Sequence, residues 1–421
     1  MEDAYPVMAE EIQKWRDETP GSDQRCHLNN AGAALMPRPV IDAIKDHLDL
    51  ETRIGGYEAG DAVSSKIDKA YHAVAELVRK RSANIAMVGN ATVAISQALS
   101  AFDFEQGDTI ITTSVDYSSN QIMLLNLAKR FGVEVIRAGD LPEGGADPES
   151  VRRLINQYRP KLMLMSWIPT HSGLVQDAKS IGEICYSKEV PLLLDGCQAV
   201  GQIEIDLSEL KCDFLAATSR KFLRGPRGIG FLYVSDRMIQ EGRSPLYPDT
   251  HGAEWTEPNN FRLSDSAKRF ENWEFPVALQ LGMGKAAEYS QSIGMEKISH
   301  RSSYLADYAR KIFSEIDGVQ IIDSGSKMCA IVSAALHDVE AVNAVQVLRN
   351  QGINTSSASR STSVIDMDAK QINSIIRVSP HYYNTTEEIL IRAKANNVTT
   401  NVAALNIAKE RIETRKREHQ K

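Results

Sequence analysis

Lys221 is the residue whose position most directly suggests chemistry. It follows the apolar run CDFLAA (212–217), which has the composition of a buried strand, and it lies within TSRKFLRGPRG (218–228). A lone lysine is most often a solvated side chain. Hydroxyls and a guanidinium beside a lysine, however, are typical of an anion site, and the nearby glycines let the backbone approach a ligand closely.

Asp195 ends another apolar run, PLLLD (191–195). A carboxylate at the end of a buried strand is costly unless it is paired. It could cap the following helix, or it could pair with a buried cationic ring nitrogen. Gln198 lies three residues further on, where its amide could reach the same ligand.

A third feature is the stretch GNATVAISQAL (89–99), which places Ala91 and Thr92 at the start of a predicted helix. A helix N-terminus built from small residues is able to bind an anion. The signal is weak by itself, because Asn and Thr also begin helices as caps alone.

Together these features fit one ligand that carries a phosphate, an aromatic cationic nitrogen and an aldehyde. Pyridoxal phosphate (PLP) has all three, binds lysine as a Schiff base and pairs its ring nitrogen with a carboxylate. We therefore predict PLP as the cofactor, with Lys221 as its anchor and Asp195 as the partner of its ring.

The elements that must position these residues alternate from about residue 65 to 290. Short β-rich runs such as KLMLMSW are separated by amphipathic stretches such as SSNQIMLLNLAKRFG. This order predicts an α/β fold whose parallel sheet is covered on both faces, with ligands bound beyond the carboxyl ends of the strands. We expect an N-terminal segment (1–30) packed with a small C-terminal α+β domain (291–421), and a large cofactor-binding domain (31–290).

Composition excludes several classes of function. The 421 residues carry a formal net charge of −7 and form no basic stripe, so nucleic acid is not expected as a partner. The N-terminal stretch lacks the features of a signal peptide, and no apolar run is long enough to span a bilayer. The five cysteines show no CxxC spacing, so no metal site is predicted. We expect a cytoplasmic protein without membrane contacts.

Four stretches resemble those of one known family, and they occur in the expected order: HLNNAGAALMP (27–37), LLLDGCQAVGQIEIDLSELKCDFLAATSRKFLRGPRGIGFLYV (192–234), RFENWEFPVALQLGMGKAAEYSQSIG (269–294) and IIRVSPHYYNTTEEI (375–389). They are similar to the class V aminotransferases of fold type I, a group of PLP-dependent enzymes that includes cysteine desulfurases and isopenicillin-N epimerase-like proteins. The resemblance runs from about Cys26 to Glu388. It implies a mostly parallel seven-stranded sheet in the large domain, and a homodimer with active sites near the subunit interface.

The resemblance also implies a role for each matching residue that would contact the cofactor. Lys221 would anchor the cofactor and move the substrate's α-proton, while Asp195 would pair with the pyridine nitrogen and Gln198 would contact the ring hydroxyl. The phosphate would be held by Ala91, Thr92, Thr218 and Arg220. Beside the ring would lie Tyr117, stacked on it, and Thr170, near its hydroxyl.

Four further residues are candidates for binding an amino-acid substrate. Arg377 would bind the α-carboxylate in a bidentate manner, through two hydrogen bonds from its guanidinium. Tyr57, in GGYEAG (55–60), and Asn30 would lie near the substrate. Arg360 could contact a substrate side chain, or it could be a solvated loop arginine.

The chain departs from the cysteine desulfurase pattern in ways that bear on the reaction. Arg220 stands where several relatives have histidine, and Asn272–Glu274 replaces a Gly-Thr-Pro motif. A desulfurase needs a mobile cysteine thiolate before the carboxylate-binding arginine, but the stretch 352–378 contains no cysteine. Cys197 is interpreted as a small packed residue.

RFENWE together with GGYEAG most resembles the branch that contains epimerase-like proteins and the C–S lyase of ergothioneine biosynthesis. We therefore expect β-elimination from an S-substituted cysteine or its sulfoxide, which gives pyruvate and ammonia. Transamination and epimerisation are the alternatives, and persulfide transfer is disfavoured. A protein that binds PLP without turnover is also disfavoured, because mere binding needs no carboxylate clamp such as Arg377.

Overall fold

The computed structural model describes residues 7–390, so residues 391–421, the end of the expected small domain, lie outside the described residues. The strands are β1 (Cys26–His27), β2 (Ile85–Val88), β3 (Thr109–Thr112), β4 (Glu134–Arg137), β5 (Leu162–Ser166), β6 (Leu192–Asp195), β7 (Phe214–Thr218), β8 (Gly230–Val234), β9 (Ala253–Glu257), β10 (Asn260–Leu263), β11 (Val319–Ile321), β12 (Val332–Leu336), β13 (Ile353–Asn354), β14 (Ser356–Ser359) and β15 (Ser374–Val378).

The α-helices are α1 (Ala9–Asp17), α2 (Asn30–Ala33), α3 (Arg38–Ile54), α4 (Gly56–Ala62), α5 (Ser64–Leu77), α6 (Ala91–Ser100), α7 (Ser118–Phe131), α8 (Pro148–Tyr158), α9 (Ala178–Ser187), α10 (Leu207–Leu210), α11 (Asp236–Gln240), α12 (Val277–Ile293), α13 (Met295–Ser314), α14 (Ala341–Asn350), α15 (Val364–Ala369) and α16 (Thr386–Leu390). Among the described helices, none is both long enough and apolar enough to cross a membrane.

The large sheet has seven strands in the order β2-β8-β7-β6-β5-β3-β4. Strand β8 is antiparallel to both of its neighbours, and the other adjacent pairs are parallel. The prediction of a mostly parallel seven-stranded sheet is therefore confirmed. Alternate residues of β5 pack into two different apolar cores, Met163 and Met165 into one and Leu162 and Leu164 into the other. Burial on both faces explains why these strands are apolar throughout.

The register of the central strands brings their carboxyl ends together. Ser166 at the end of β5 pairs with Asp195 at the end of β6, and Asp195 pairs with Ala216 of β7. Lys221 follows β7 by three residues. The fold therefore places the predicted cofactor anchor and its carboxylate at the same edge of the sheet.

A second, antiparallel sheet has the order β11-β12-β15-β14. Strand β1 pairs with β13 in parallel, and Asn29 bridges to Ser379, so residues 26–29 are tied to the elements around this sheet. The division of the chain at residues 30 and 290 stays a prediction.

The two sheets are joined by residues 167–177, which we call the crossover loop. Cys329 donates its N–H to the carbonyl of Gly173 at 2.8 Å, and Gly173 donates to Asp323 Oδ1 at 3.0 Å. A Cβ atom at position 173 would lie 2.2 Å from the carbonyl oxygen of Ile331. Only glycine therefore fits at this close approach.

Replacing Gly173 by alanine should lower the free energy of unfolding by about 2 kcal/mol, because the crossover loop or the strand beside it must move. The midpoint of urea unfolding measures this change. Gly60→Ala in α4 is the control, since a Cβ atom there meets nothing within 4 Å, and stability should stay within about 1 kcal/mol of the wild type or rise. Equal midpoints for Gly173→Ala and Gly60→Ala would contradict the packing described.

Candidate active site

Lys221 is held by a compact turn that follows β7. Ser219 bonds through its backbone to Ile229 and Gly225, and Arg224 donates its N–H to the carbonyl of Lys221 at 2.9 Å. The side chain of Lys221 is buried. Burial lowers the pKa of its ammonium group, an effect opposed by Asp195 and reinforced by the two arginines nearby. A lowered pKa favours the free amine, which is the form that attacks an aldehyde.

Asp195 presents a buried carboxylate fixed by two donors. Asn120 donates from Nδ2 to Oδ2 at 3.0 Å, and the backbone N–H of Cys197 donates to Oδ1 at 3.0 Å. Sequence reasoning missed Asn120. The sequence feature that could have identified Asn120 is its place as a polar residue in the first turn of α7, which begins beyond the carboxyl end of β3.

Gln198 carries an acceptor that the protein leaves unused. Its Nε2 donates to the carbonyl of Ala31 at 3.2 Å, but its Oε1 is buried without a hydrogen-bond partner. A buried oxygen without a donor is costly. A ring hydroxyl, such as that of PLP, would supply the missing donor.

Donors suited to a phosphate lie beside these residues. The side chain of Asn90 caps α6 by accepting from Val93 N–H at 3.0 Å. Ala91 and Thr92 come before Val93 in the first turn of α6. The backbone N–H groups of a first turn have no acceptor within their own helix, so they are suited to bind an anion. Helix α6 packs against β7, which ends at the buried residue Thr218.

Arg220 also lies at this edge, where its guanidinium donates to the carbonyl of Gly32. Burial lowers the pKa of Arg220, as does the like charge of Arg227. A phosphate would offset this cost, so the amides of α6, Thr218 and Arg220 suit the phosphate of PLP.

Tyr117 is anchored to the end of β5. Its N–H donates to Ser166 Oγ at 3.0 Å. The preceding residue, Asp116, is buried and accepts from the backbone N–H groups of Thr113 and Ser166. This network was not anticipated from the sequence, and it fixes Tyr117 at the sheet edge that carries Asp195.

Arg377 is a buried cation on β15. Its Nη1 donates to the carbonyl of Thr170 at 2.7 Å, and its Nη2 lies 3.5 Å from Asn29 Oδ1. Its Nε is buried without a partner. Burial lowers the pKa of Arg377 to about 10, and the charge of Arg220 contributes. Within residues 7–390 no carboxylate forms an ion pair with Arg377, so the site suits an anionic ligand.

Three predicted substrate residues have other surroundings. Asn30 is fully buried and donates to the carbonyl of Ser379, while its Oδ1 accepts from Tyr383. Tyr57 is 78% exposed on α4. Arg360 is exposed and donates from Nε and Nη2 to Asp368. The polar groups of Asn30 and Arg360 are thus engaged within the protein, and a role for these three residues in substrate binding stays a prediction.

The cysteines offer no activated nucleophile. Cys197 is buried, and burial raises the pKa of its thiol, as does the neighbouring Asp195. Burial also raises the pKa of the half-buried Cys26 to about 12, and the other three cysteines are buried. A protonated buried thiol is a poor nucleophile. The part of the chain that the structure describes also holds no cluster of three or more metal-ligating side chains.

The sequence model of the class V aminotransferases matches residues 26–391. The chain therefore belongs to the class V aminotransferase family. A probable cysteine desulfurase of Borreliella burgdorferi is 28% identical over 377 residues, covering 86% of this chain and 89% of its own. A probable hercynylcysteine sulfoxide lyase of Mycobacterium tuberculosis is 24% identical over 372 residues, covering 88% and 89%.

Solved structures show the same fold. The apo cysteine desulfurase of Thermococcus onnurineus superimposes with a TM-score of 0.83 at 22% identity, covering 92% of this chain and 96% of its own. The cystine C–S lyase C-DES, in complex with cysteine persulfide, gives a TM-score of 0.77 at 21% identity, covering 88% and 97%. The protein is a PLP-dependent enzyme of fold type I.

Lys221→Ala should abolish covalent attachment of PLP. Borohydride reduction of the loaded protein fixes the cofactor to its lysine, and peptide mass spectrometry should find the added mass on the Lys221 peptide of the wild type. The exposed residue Lys188 provides the control, since Lys188→Ala should retain the modified peptide. A modified lysine elsewhere in the chain would refute the assignment.

Proposed function

We propose that the protein is a C–S β-lyase that cleaves an S-substituted cysteine or its sulfoxide. The products are pyruvate, ammonia and the sulfur fragment, which leaves as a thiol or, from a sulfoxide, as a sulfenic acid. The observation that carries the proposal is a buried lysine–carboxylate–arginine site whose neighbouring thiol, that of Cys197, is buried and has a raised pKa.

In this proposal each residue has a distinct task. Arg377 binds the α-carboxylate, and the carbonyl of Thr170 orients its guanidinium. Lys221, whose pKa burial lowers, accepts the α-proton as a general base. Asp195 would pair with the ring nitrogen of the cofactor, and Gln198 would accept a hydrogen bond from its ring hydroxyl. Bound PLP supplies an electron sink for the negative charge left at the substrate's α-carbon.

The fate of sulfur distinguishes this reaction from that of a desulfurase. In β-elimination the electron pair of the α-carbon forms the new double bond, and the carbon–sulfur bond breaks with its electrons on sulfur. The sulfur fragment needs only a proton, and hydrolysis of the remaining enamine gives pyruvate and ammonia. No protein thiolate takes part. The absence of cysteine from residues 352–378 and the similarity to a sulfoxide lyase support this outcome.

Transamination would use the same residues and remains the second candidate. Epimerisation needs a second acid–base group on the opposite face of the substrate. Tyr57, the candidate for that group, is exposed in its own subunit, so no observation favours epimerisation.

A panel of S-alkyl cysteines, their sulfoxides and cysteine itself tests the proposed reaction. The holoenzyme should release pyruvate and ammonia in equal amounts from a sulfoxide or thioether, without an added keto acid. A requirement for a keto acid, with accumulation of the amine form of the cofactor, would identify a transaminase. Alanine formed from cysteine, with persulfide on the protein, would identify a desulfurase.

We also propose that the protein acts as a cytoplasmic homodimer. The hairpin β9–β10 carries Trp255 and Phe261, which pair across the two strands and are 77% and 54% exposed. Large exposed aromatic residues on one face favour contact with a partner. In a dimer, the exposed Tyr57 would be available to the partner subunit's site.

Replacing Trp255 by glutamate should shift the protein from dimer to monomer, because a buried charge in the interface has no partner. Light scattering coupled to size-exclusion chromatography measures the mass. The control is Tyr186→Glu on α9, another exposed aromatic position, which should leave the mass unchanged. A monomeric wild type would rule out the dimer, and a dimeric Trp255→Glu would remove the hairpin from its interface.

A further inference from the structure

His171 is a buried histidine in the crossover loop, and the proposed reaction gives it no role. It is 1% exposed, and its Nε2 lies 2.9 Å from Asp366 Oδ2. Asp366 belongs to α15 (Val364–Ala369), which lies within the cysteine-free stretch 352–378. The hydrogen bond therefore joins the crossover loop to a segment 195 residues away in the sequence.

The residue directly before His171 orients Arg377. The carbonyl of Thr170 accepts from Arg377 Nη1 at 2.7 Å. The other contact of the guanidinium, with Asn29, is longer at 3.5 Å. Since Thr170 and His171 share a peptide bond, the position of the His171 side chain restricts where the Thr170 carbonyl points.

The carboxylate of Asp366 is well suited to accept a hydrogen bond from His171. Burial raises the pKa of Asp366, but hydrogen bonds from His171 and the charge of Lys370 outweigh burial and hold that pKa below its usual value. The carboxylate is therefore ionised at neutral pH, and hydrogen bonds to ionised acceptors are stronger than neutral ones. Lys370, its second partner, lies one turn away at 2.9 Å.

The rest of the crossover loop is held independently. Gly173 and Val175 bond through their backbones to Asp323 and to the carbonyl of Lys327. Gln176 donates to the carbonyl of Ser166, the last residue of β5, directly before the loop. Loss of the His171 side chain would therefore leave both ends of the loop anchored and would loosen the part that carries the Thr170 carbonyl.

We propose that His171 and Asp366 form a positioning pair that sets the direction of the Arg377 guanidinium and so tunes recognition of the substrate's α-carboxylate. The inference rests on the carboxylate-binding role proposed for Arg377. His171 acts through Thr170 and Arg377 and does not itself contact the substrate.

The test compares two ligands of the PLP-loaded protein, followed by the change in cofactor absorbance. Norvaline has no leaving group at its β-carbon, and butylamine is the same molecule without the carboxylate. His171→Ala should weaken norvaline binding about tenfold, the loss expected for one hydrogen bond to a charged acceptor. Butylamine binding should stay within about twofold, because the amine makes no contact with Arg377.

Two conservative variants separate positioning from bulk structure. His171→Gln keeps a donor at a similar reach and should restore most of the preference for norvaline over butylamine. Asp366→Asn keeps the size of the acceptor but removes its charge, so it should lose part of the preference. It also provides the test if His171→Ala does not fold.

Arg377→Ala distinguishes failure of this inference from failure of the proposed function. If Arg377→Ala keeps the wild-type preference for norvaline, the carboxylate role itself is wrong. If Arg377→Ala loses that preference while His171→Ala and Asp366→Asn keep it, the positioning pair is wrong and the role of Arg377 stands. Equal weakening of both ligands in His171→Ala, without recovery in His171→Gln, would mean a general structural role and would also overturn the inference.

Discussion

The site depends on a buried imbalance of charge. Lys221 and Arg377 are both buried, and the like charges of Arg220 and Arg377 act on Lys221 while Asp195 opposes them. Burial and the charge of Arg220 already lower the pKa of Arg377 to about 10. Clustered buried cations are costly unless anions accompany them. A phosphate at one end and a carboxylate at the other would supply the missing negative charge, as the cofactor and the proposed amino-acid substrate would do.

The fold makes this cluster possible by fixing three strand ends in register. Ser166, Asp195 and Ala216 are neighbours across β5, β6 and β7, so the groups that follow these strands meet at one edge. The second sheet then brings Arg377 to that edge through its bond to the crossover loop. The same loop packs closely against residues next to the second sheet at Gly173, where no side chain fits. The contacts of the crossover loop with the second sheet and the hydrogen bond that orients Arg377 therefore lie in one segment of the chain.

Much of this arrangement could be predicted from the sequence, because strand ends carry a simple signal. An all-apolar run that stops at Asp195, or just before Lys221, marks a buried strand whose next polar residue must have a partner. The large sheet was predictable for the same reason. The hairpin β9–β10 was not, since its residues are mostly exposed and its pattern does not indicate a buried face.

Other parts depend on contacts that no local pattern encodes. Asn120 of α7 reaches Asp195 across 75 residues of sequence, and His171 meets Asp366 across 195 residues. The sequence likewise cannot reveal that the side-chain amide of Asn30 is already hydrogen-bonded to Ser379 and Tyr383. Nor can it reveal that the guanidinium of Arg360 is bonded to Asp368. The type of a residue indicates that it could bind a ligand. Whether it is free to do so depends on the hydrogen bonds that its side chain already makes within the protein.

The most direct test of this account is the distance between the ring nitrogen of bound PLP and the Asp195 carboxylate in a crystal structure of the loaded protein. We predict a hydrogen-bond distance, with electron density continuous from Lys221 Nζ to the cofactor and the ring hydroxyl beside Gln198 Oε1. A ring nitrogen that faces another residue, with Asp195 bonded only to Asn120 and the Cys197 amide, would contradict the account.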